Sequence, residues 1–465
     1  MTMDKIKDFF KDLTWGDINW ERSYKIVRRL QLRIYRAQKK GKTQKVRKLQ
    51  KQLVDNSNSK IAAVSMAFEL ERYNTQLLGS KITHVSNLEK LKIAQNLTLG
   101  DKKVKYSGRV ELKNLYQNSK QSLLRLSLDP KYENLFKTTC YGSRTTRTIW
   151  DSIDYLSSTL KSSDHVLSGD LKKNFRSITP GFLIKNLDLH SVLEREIREF
   201  VNSPFFLSQR IDSVYEEKSL LLPIFRDILF QKLHLCVNKV ARSKSKSNQL
   251  SFVFLIHGYK YLLAGENEKI LKACVLEINQ FLNKICLFSQ KMDLRYTSYE
   301  NGLIFLGFHL NLIKKTFRPI VNPSAKLQKK LIKENRKILN FNKSISSYKL
   351  INKITPKILN WASYFKYYDC KCIFDQLDNI IHSQLKVWVF RRKSTQGKSL
   401  VKKKYFPEGK TYAFCGKKYK DNWVFAGFDS SQVNSSKINF LPKIRWIRNI
   451  TSTQKFCLSS LYEIL

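Results

Sequence analysis

The chain has 465 residues, which is long enough for two or three domains, each with a core of its own. Its 85 Lys and Arg against 38 Asp and Glu give a formal net charge of +47. Cations spread along the whole chain favour a polyanionic partner, because each phosphate contact releases counterions. They argue against a membrane-surface protein, whose charge is concentrated in one patch or helix, and no apolar run is long enough to span a bilayer. A merely soluble basic protein remains the alternative.

The first residues of the chain bear on where the protein is made, and the spacing of its cysteines bears on whether it binds zinc. The first eight residues lack the apolar run of a secretory signal, and Asp4 and Asp8 argue against a transit peptide. A protein that works in an organelle would then be made there, and the wealth of Lys, Asn, Ile, Phe and Tyr fits an AT-rich genome such as a plastid's. The eight cysteines include no C-x-x-C pair, so we expect reduced thiols and no zinc site.

Residues 1–70 predict a helical, basic arm. Its apolar residues recur at helical spacing, pause at Gly41 and then resume: Ile26, Val27, Leu30 and Ile34, then Val46, Leu49 and Leu53. Thirteen basic residues and no acid lie between residues 22 and 51: Arg22, Lys25, Arg28, Arg29, Arg33, Arg36, Lys39, Lys40, Lys42, Lys45, Arg47, Lys48 and Lys51. A merely solvated helix face usually mixes signs of charge, so this pattern indicates contact with phosphates.

The middle of the chain predicts an α+β domain. Residues 71–130 are the least informative part, and polar stretches such as Asn96–Gly108 suggest loops or a weakly ordered region. Residues 131–310 mix short β-like runs with helical segments, without a regular βαβ alternation. The predicted strands are Phe252–Ile256, Tyr261–Leu263 and Leu303–Phe308, and the predicted helices are Ile149–Leu160 and Lys269–Leu282. After residue 323 the helical period returns, at Leu327, Leu331 and Ile338 and again at Phe374, Leu377, Ile381, Leu385 and Trp388.

The segment 391–420 combines cations with aromatic rings. Its only acid is Glu408, and its eleven basic residues are Arg391, Arg392, Lys393, Lys398, Lys402, Lys403, Lys404, Lys410, Lys417, Lys418 and Lys420. The interleaved rings are Tyr405, Phe406, Tyr412, Phe414 and Tyr419. Cations with rings favour single-stranded RNA recognition, but the rings could equally pack a small subdomain. Trp361 and Trp388 lie on apolar helix faces, so we expect them in the core.

Four blocks of residues carry a resemblance to a known family. They are Trp15 with Ile18-Asn19-Trp20, Leu30-Gln31 and Leu49-Gln50; Leu128-Asp129-Pro130 with Tyr141-Gly142; Val166–Leu171 with Phe175; and Asn322-Pro323-Ser324 with Asn360–Phe365 and Lys404-Tyr405-Phe406. Together they resemble the group II intron-encoded reverse transcriptase/maturase family. The resemblance implies an α+β fold with a basic helical arm (1–70), a right-hand fingers and palm domain (71–310), a helical thumb or maturase domain (311–406) and a basic aromatic tail (407–465).

The chain departs from this family where nucleotide addition would take place. The family has Tyr-Ala-Asp-Asp where this chain has His257-Gly258-Tyr259-Lys260, so only Asp170 remains of three carboxylates that hold two metal ions. Lys260 would repel a cation, and the family's Pro-Gln-Gly loop is missing near residues 216–218. We therefore expect no catalytic residue, no metal site, no cofactor and no reverse transcription. Asp170 could instead pair with Lys260.

The second DNA-directed activity of the family also lacks its residues. No histidine follows His382, so the carboxy-terminal His-Asn-His endonuclease of many relatives is not expected. The resemblance implies a splicing cofactor for group II or derived intron RNA, without a membrane and with other splicing proteins as further partners. By this resemblance, the most similar type is the plastid-encoded maturase with degenerate polymerase motifs, including those of euglenoid algae. We therefore expect a plastid location and favour a mitochondrion less. An active polymerase with a divergent metal site and a structural ribonucleoprotein component remain alternatives.

Overall fold

Helices dominate the protein, and short strands complete an α+β fold. The computed structural model describes residues 10, 13–78, 85–99, 109–136, 140–141, 148–161, 164–176, 180–185, 187, 189–202, 220–244, 252–285, 295–298, 302–312, 319–392, 397–428 and 438–447. The helices are α1 (Trp20–Lys39), α2 (Thr43–Asp55), α3 (Ser57–Leu78), α4 (Asn87–Asn96), α5 (Val110–Leu135), α6 (Ile149–Thr159), α7 (Lys172–Arg176), α8 (Pro180–Lys185), α9 (Ser191–Val201), α10 (Leu222–Lys244), α11 (Glu268–Ile285), α12 (Ala325–Phe341), α13 (Ser347–Phe365), α14 (Lys371–Arg392), α15 (Lys398–Tyr405) and α16 (Ile444–Ile447).

The strands are short. They are β1 (Cys140–Tyr141), β2 (His165–Asp170), β3 (Phe252–His257), β4 (Lys260–Gly265), β5 (Arg295–Ser298), β6 (Leu303–Phe305), β7 (Phe308–Leu312), β8 (Pro319–Pro323), β9 (Thr411–Phe414), β10 (Lys417–Lys420), β11 (Ala426–Phe428) and β12 (Ile438–Phe440).

The predicted amino-terminal hairpin is confirmed. The side chain of Asn19 accepts a hydrogen bond from the backbone N–H of Arg22 at 2.9 Å and so caps the start of α1. Gly41 has a φ of 65°, a conformation that favours glycine, and it allows the turn into α2. The apolar stripe is buried in both helices: Val27, Leu30, Ile34, Val46, Leu49 and Leu53. The opposite faces are therefore left to the basic residues.

Helices α4 and α5 occupy much of residues 71–130, whereas the polar stretch Asn96–Gly108, for which loops were predicted, lies between them and mostly outside the described residues. Helix α5 is buried on most of its faces and so lacks the apolar stripe that reveals a surface helix. Its buried serines donate hydrogen bonds to carbonyls one turn earlier: Ser119 to Leu115 and Ser122 to Asn118. These bonds allow a polar segment to be buried as a helix.

The two Leu-Gln pairs have a shared structural role at Pro130, which lies inside α5. A proline has no N–H, so the carbonyl of Leu126, four residues earlier, loses its helical donor. The side-chain amide of Gln31 donates to this carbonyl at 3.0 Å, and that of Gln50 donates to the next one, of Ser127, at 3.1 Å. The arm is thereby joined to α5 by polar contacts as well as by its apolar stripe.

Coupling between Gln31 and Pro130 can be measured. We expect Gln31→Met to lower the free energy of unfolding by about 1 kcal/mol, because the Leu126 carbonyl loses its donor. In a Pro130→Ala background the new backbone N–H can serve this carbonyl, so the same substitution should cost less. Urea unfolding of the four proteins in the double-mutant cycle measures the difference. Equal costs in both backgrounds would contradict this role of Gln31.

The larger sheet has the strand order β1-β3-β4-β2-β5, with β1 parallel to β3 and the β2–β4 and β3–β4 pairs antiparallel. The β3–β4 hairpin turns at Gly258, whose φ is 58°. In the β2–β4 register, Asp170 lies opposite Lys260 and Gly169 lies opposite Tyr261. A β carbon on Gly169 would lie 2.5 Å from the ring of buried Tyr261, so glycine is required there.

The predicted strand Leu303–Phe308 is instead two strands. Leu306 and Gly307 have φ values of 50° and 83° and form the turn between β6 and β7. Strand β8 adds to them in a three-stranded antiparallel sheet. Phe305 and Phe308 are buried.

The chain forms two compact units. One comprises residues 1–152 and 164–296 and contains α1–α5 and most of the five-stranded sheet. The other comprises residues 153–163 and 297–462 and contains the three-stranded sheet, α12–α16 and two hairpins. The bounds of the four domains inferred from the sequence stay predictions. Within the described ranges, no helix combines the length and apolar character needed to cross a membrane.

Candidate RNA interface

The amino-terminal arm presents a broad basic surface. Its thirteen cations between residues 22 and 51 are all exposed, including the ten predicted to contact RNA: Arg22, Lys25, Arg28, Arg29, Arg33, Arg36, Lys39, Lys40, Arg47 and Lys48. Lys25 forms an exposed ion pair with Glu21 at 2.7 Å, a kind of contact that contributes little and does not prevent phosphate binding. The geometry thus allows a polyanion to lie along α1 and α2; the residue-by-residue contacts stay predictions.

The predicted cations of the tail differ in their surroundings. Arg391, Lys403, Lys404, Lys417 and Lys418 are exposed. The guanidinium of Arg392 donates to the carbonyls of Ser344 and Ile345 and lies 5.3 Å from the Trp388 ring centroid. Arg392 therefore also ties the end of α14 to the loop before α13. Lys393 lies outside the described residues, as do Gly142 and residues 216–218.

The five tail rings pack a small subdomain, which was one of the two alternatives. Tyr405, Phe406 and Tyr412 are buried. Tyr419 is half-buried and stacks on Trp446 with ring centroids 4.6 Å apart, and the Phe414 ring lies 6.2 Å from the same indole. Trp388 is buried and Trp361 contacts Phe365 and Phe374, as expected for core residues.

Two further features were missed by the sequence analysis. Helix α12 exposes six cations and has one acid, Glu334; the cations are Lys326, Lys329, Lys330, Lys333, Arg336 and Lys337. Phe341, its last residue, is 86% exposed. The same count of charges that revealed the arm would have found this helix. Trp423 is the second feature, and it is an exposed ring in an unusual backbone conformation.

The predicted pairing of Asp170 with Lys260 is wrong. The two residues lie opposite each other in register, but the described part of the chain contains no ion pair between them. The Asp170 carboxylate instead accepts the backbone N–H of Lys172 at 2.8 Å, at the start of α7. This local hydrogen bond competes with the cross-strand partner, and both side chains are exposed to water.

Tyr259, which the resemblance aligns with the first of two paired aspartates, lies in an aromatic cluster. Its ring lies 5.3 Å from that of Phe175 and 6.1 Å from that of Phe230. The Arg226 guanidinium lies 4.8 Å from the Tyr259 ring centroid and forms an ion pair with Asp227 at 2.9 Å. Tyr259 is thus surrounded by rings and by the guanidinium of Arg226. These residues do not fit a two-metal site, which requires carboxylate oxygens.

His257 lies beside this group and adds no ligand charge. One ring nitrogen lies 3.0 Å from the Ser152 hydroxyl. Burial, and then the charges of Arg226 and Lys260, lower the pKa of His257 to about 4. The imidazole is therefore neutral at pH 7.

The pKa of His257 predicts a pH dependence. Between pH 6.5 and 4 the imidazole binds a proton in the unfolded chain but not in the folded chain. The free energy of unfolding is therefore highest above pH 6.5, as far as this histidine decides it, and falls as the pH is lowered towards 4. We expect His257→Asn to make the fall in stability from pH 6.5 to 4 shallower than in the wild type. Urea midpoints across this range measure it, and parallel curves for the two proteins would refute the assignment.

Two family models match the chain. Residues 15–95 match the N-terminal domain of reverse transcriptase, and residues 328–406 match the group II intron, maturase-specific domain. These matches confirm the resemblance predicted from the sequence. The chain is also similar to Maturase-like protein 1 of Euglena longa, with 23% identity over 390 residues, which covers 76% of this chain and 78% of the relative.

Solved structures also show a likeness to the chain, and one of them illustrates how distant it is. It is the telomerase of Candida albicans in complex with a fragment of telomeric RNA, with 13% identity and a TM-score of 0.29, covering 64% of this chain and 60% of that one. A TM-score this low does not establish a shared fold.

Proposed function

We propose that the protein is an intron maturase, an RNA-binding splicing cofactor that stabilises the active fold of group II or derived intron RNA. One observation carries the proposal. The maturase-specific domain matches over residues 328–406, while Tyr259 and Lys260 replace the paired carboxylates that nucleotide addition needs. A chain with this combination has kept RNA-binding parts without the metal ligands for polymerisation.

The work of such a protein is electrostatic and conformational. Exposed cations on α1, α2 and α12 reduce the repulsion between phosphates of packed RNA helices. A protein that binds the folded intron more tightly than misfolded forms shifts the population by the ratio of its affinities. Recognition would rest on shape and on unpaired loops, because the deep groove of A-form RNA is closed to side chains. The RNA and its own metal ions perform the splicing chemistry.

The DNA-directed activities of the family are lost in this proposal. Asp170 is the one carboxylate left of three, and residues 383–465 offer no imidazole for an endonuclease. We place the protein in a plastid, because its wealth of Lys, Asn, Ile, Phe and Tyr fits an AT-rich genome of that kind.

Crosslinking in the organelle tests the proposal. The protein is crosslinked to RNA, immunoprecipitated, and the bound RNA is sequenced. We expect enrichment of one or a few unspliced introns, which would also name the substrates. Enrichment of ribosomal RNA, or none over total RNA, would contradict the maturase role and favour a structural ribonucleoprotein component.

A further inference from the structure

Trp423 has a backbone conformation that tryptophan rarely adopts. Its φ is 67°, in the left-handed region where a bulky side chain is an outlier. Such conformations persist where the surrounding structure fixes them, and they are concentrated at binding sites. The turn that holds Trp423 therefore requires an explanation in terms of its neighbours.

The residues on both sides of Trp423 are firmly held. The Asp421 carboxylate accepts hydrogen bonds from Lys443 at 2.8 Å, from Arg445 at 2.5 Å and from the Trp446 indole at 3.2 Å. Asn422 accepts the backbone N–H of Gly409 through its side chain at 3.2 Å. After the turn, Val424 and Phe425 are buried. The left-handed turn is thus fixed from both ends, and it places the indole at the surface.

The ring of Trp423 is the exposed exception among the tryptophans. All seven lie in the described residues, and Trp423 alone is exposed, at 40%. His382 contacts the ring edge-on with centroids 5.6 Å apart, and this orients the indole. The Lys402 ammonium lies over the ring, 3.9 Å from its centroid, and also forms an ion pair with Glu408 at 2.8 Å. The indole is therefore positioned by its neighbours and is still 40% exposed.

Further cations are close in sequence to Lys402 and to Trp423. Lys402 begins a run of three lysines on α15, with Lys403 and Lys404 exposed, and the exposed Lys420 lies three residues before Trp423. An oriented, exposed ring among cations is the arrangement that binds single-stranded nucleic acid, because a base stacks on the ring while the cations bind the flanking phosphates.

We propose that Trp423 is a stacking platform for an unpaired base of RNA, and that Lys402, Lys403 and Lys404 bind the phosphates beside that base. This inference rests on the proposed RNA-binding function and adds the position at which an unpaired nucleotide is held. It concerns single-stranded RNA, because bases in a duplex are already stacked on each other.

Three substitutions in the full-length protein test the platform. Trp423→Gly removes the ring and adopts the left-handed backbone without strain, so its unfolding midpoint should not fall. Trp423→Phe keeps a smaller ring. Leu400→Ala removes an exposed apolar side chain from the same lysine-rich helix and serves as the matched control. The probes are a 12-nucleotide uridine RNA carrying one 2-aminopurine and a 12-base-pair RNA duplex.

We expect Trp423→Gly to weaken binding of the single strand about tenfold, as loss of one stacked base implies, with Trp423→Phe and Leu400→Ala within about threefold of the wild type. The wild type should quench 2-aminopurine fluorescence more than Trp423→Gly, and duplex affinity should not change. Unchanged single-strand affinity, or an equal loss for the duplex, would overturn the platform. If the ring dependence holds but crosslinking finds no introns, the maturase role fails and the platform stands.

Discussion

Replacing Arg28, Arg29 and Arg33 with glutamate will weaken binding of the protein's RNA about 100-fold at ~0.1 M salt. The three guanidinium groups lie on the exposed side of α1, away from the buried stripe, and the structure gives them no acidic partner among the described residues. Each lost phosphate contact removes counterion release, so the slope of log K against log salt should also fall by about 3. Filter binding or fluorescence anisotropy at several salt concentrations measures both quantities.

The matched control is a variant in which the charge of three cations on another helix is reversed. Lys239, Arg242 and Lys244 are exposed near the end of α10, and their replacement by glutamate changes the net charge by the same amount. We expect this variant to lose less than about fivefold in affinity, because long-range attraction is screened beyond ~10 Å at this salt concentration. Equal losses for the two triple variants would show that the RNA responds to net charge and not to the arm.

The arm could be predicted from the sequence because one physical rule decides its geometry. In an amphipathic helix the apolar stripe must be buried, so burial of Leu30 and Ile34 forces Arg28, Arg29 and Arg33 to the opposite, exposed side. The same reasoning fails for α5, which is buried on most faces and therefore has no stripe to detect. Counting charges along the sequence predicts an exposed basic surface only where the pattern of the helix itself decides which residues are buried.

The tail could not be predicted in the same way, because its rings are buried by distant partners. Tyr419 is covered by Trp446, 27 residues later, and their stacking cannot be read from local composition. Trp423 was missed for a related reason. Its exposure follows from a left-handed turn fixed by hydrogen bonds to Gly409 and to residues of α16 and the segment before it, and no sequence period signals such a turn.

The loss of metal ligands at Tyr259 and Lys260 stays a prediction from the resemblance, and the packing around Tyr259 could not be predicted from the sequence. That Tyr259 would pack against Phe175, Phe230 and Arg226 depends on which elements meet at the β3–β4 turn. For Asp170 the predicted partner was wrong. Lys260 lies opposite it in the sheet register, but the Asp170 carboxylate accepts a hydrogen bond from the backbone N–H two residues later.

Restoring the two aspartates will not restore polymerisation. We expect neither the wild type nor Tyr259→Asp/Lys260→Asp to extend a primer on an RNA template with Mg²⁺ or Mn²⁺. The double variant should also lose about 2–4 kcal/mol of stability, because the aromatic group around Phe175 and Phe230 loses a ring and gains a charge. Lys260→Ala, at an exposed position, should change stability by less than ~0.5 kcal/mol.

Primer extension and urea unfolding on the same preparations separate the possible causes of inactivity. Template-dependent product from the wild type would overturn the proposed loss of polymerisation. Product from the double variant alone would mean that two side chains are the whole of the loss. An inactive, destabilised double variant would instead show that the space of the metal ions has been rebuilt as an aromatic core around Tyr259, with Arg226 and Lys260 supplying positive charge where the metal ligands would supply negative charge. In that case, return to polymerisation is blocked by packing as well as by missing ligands.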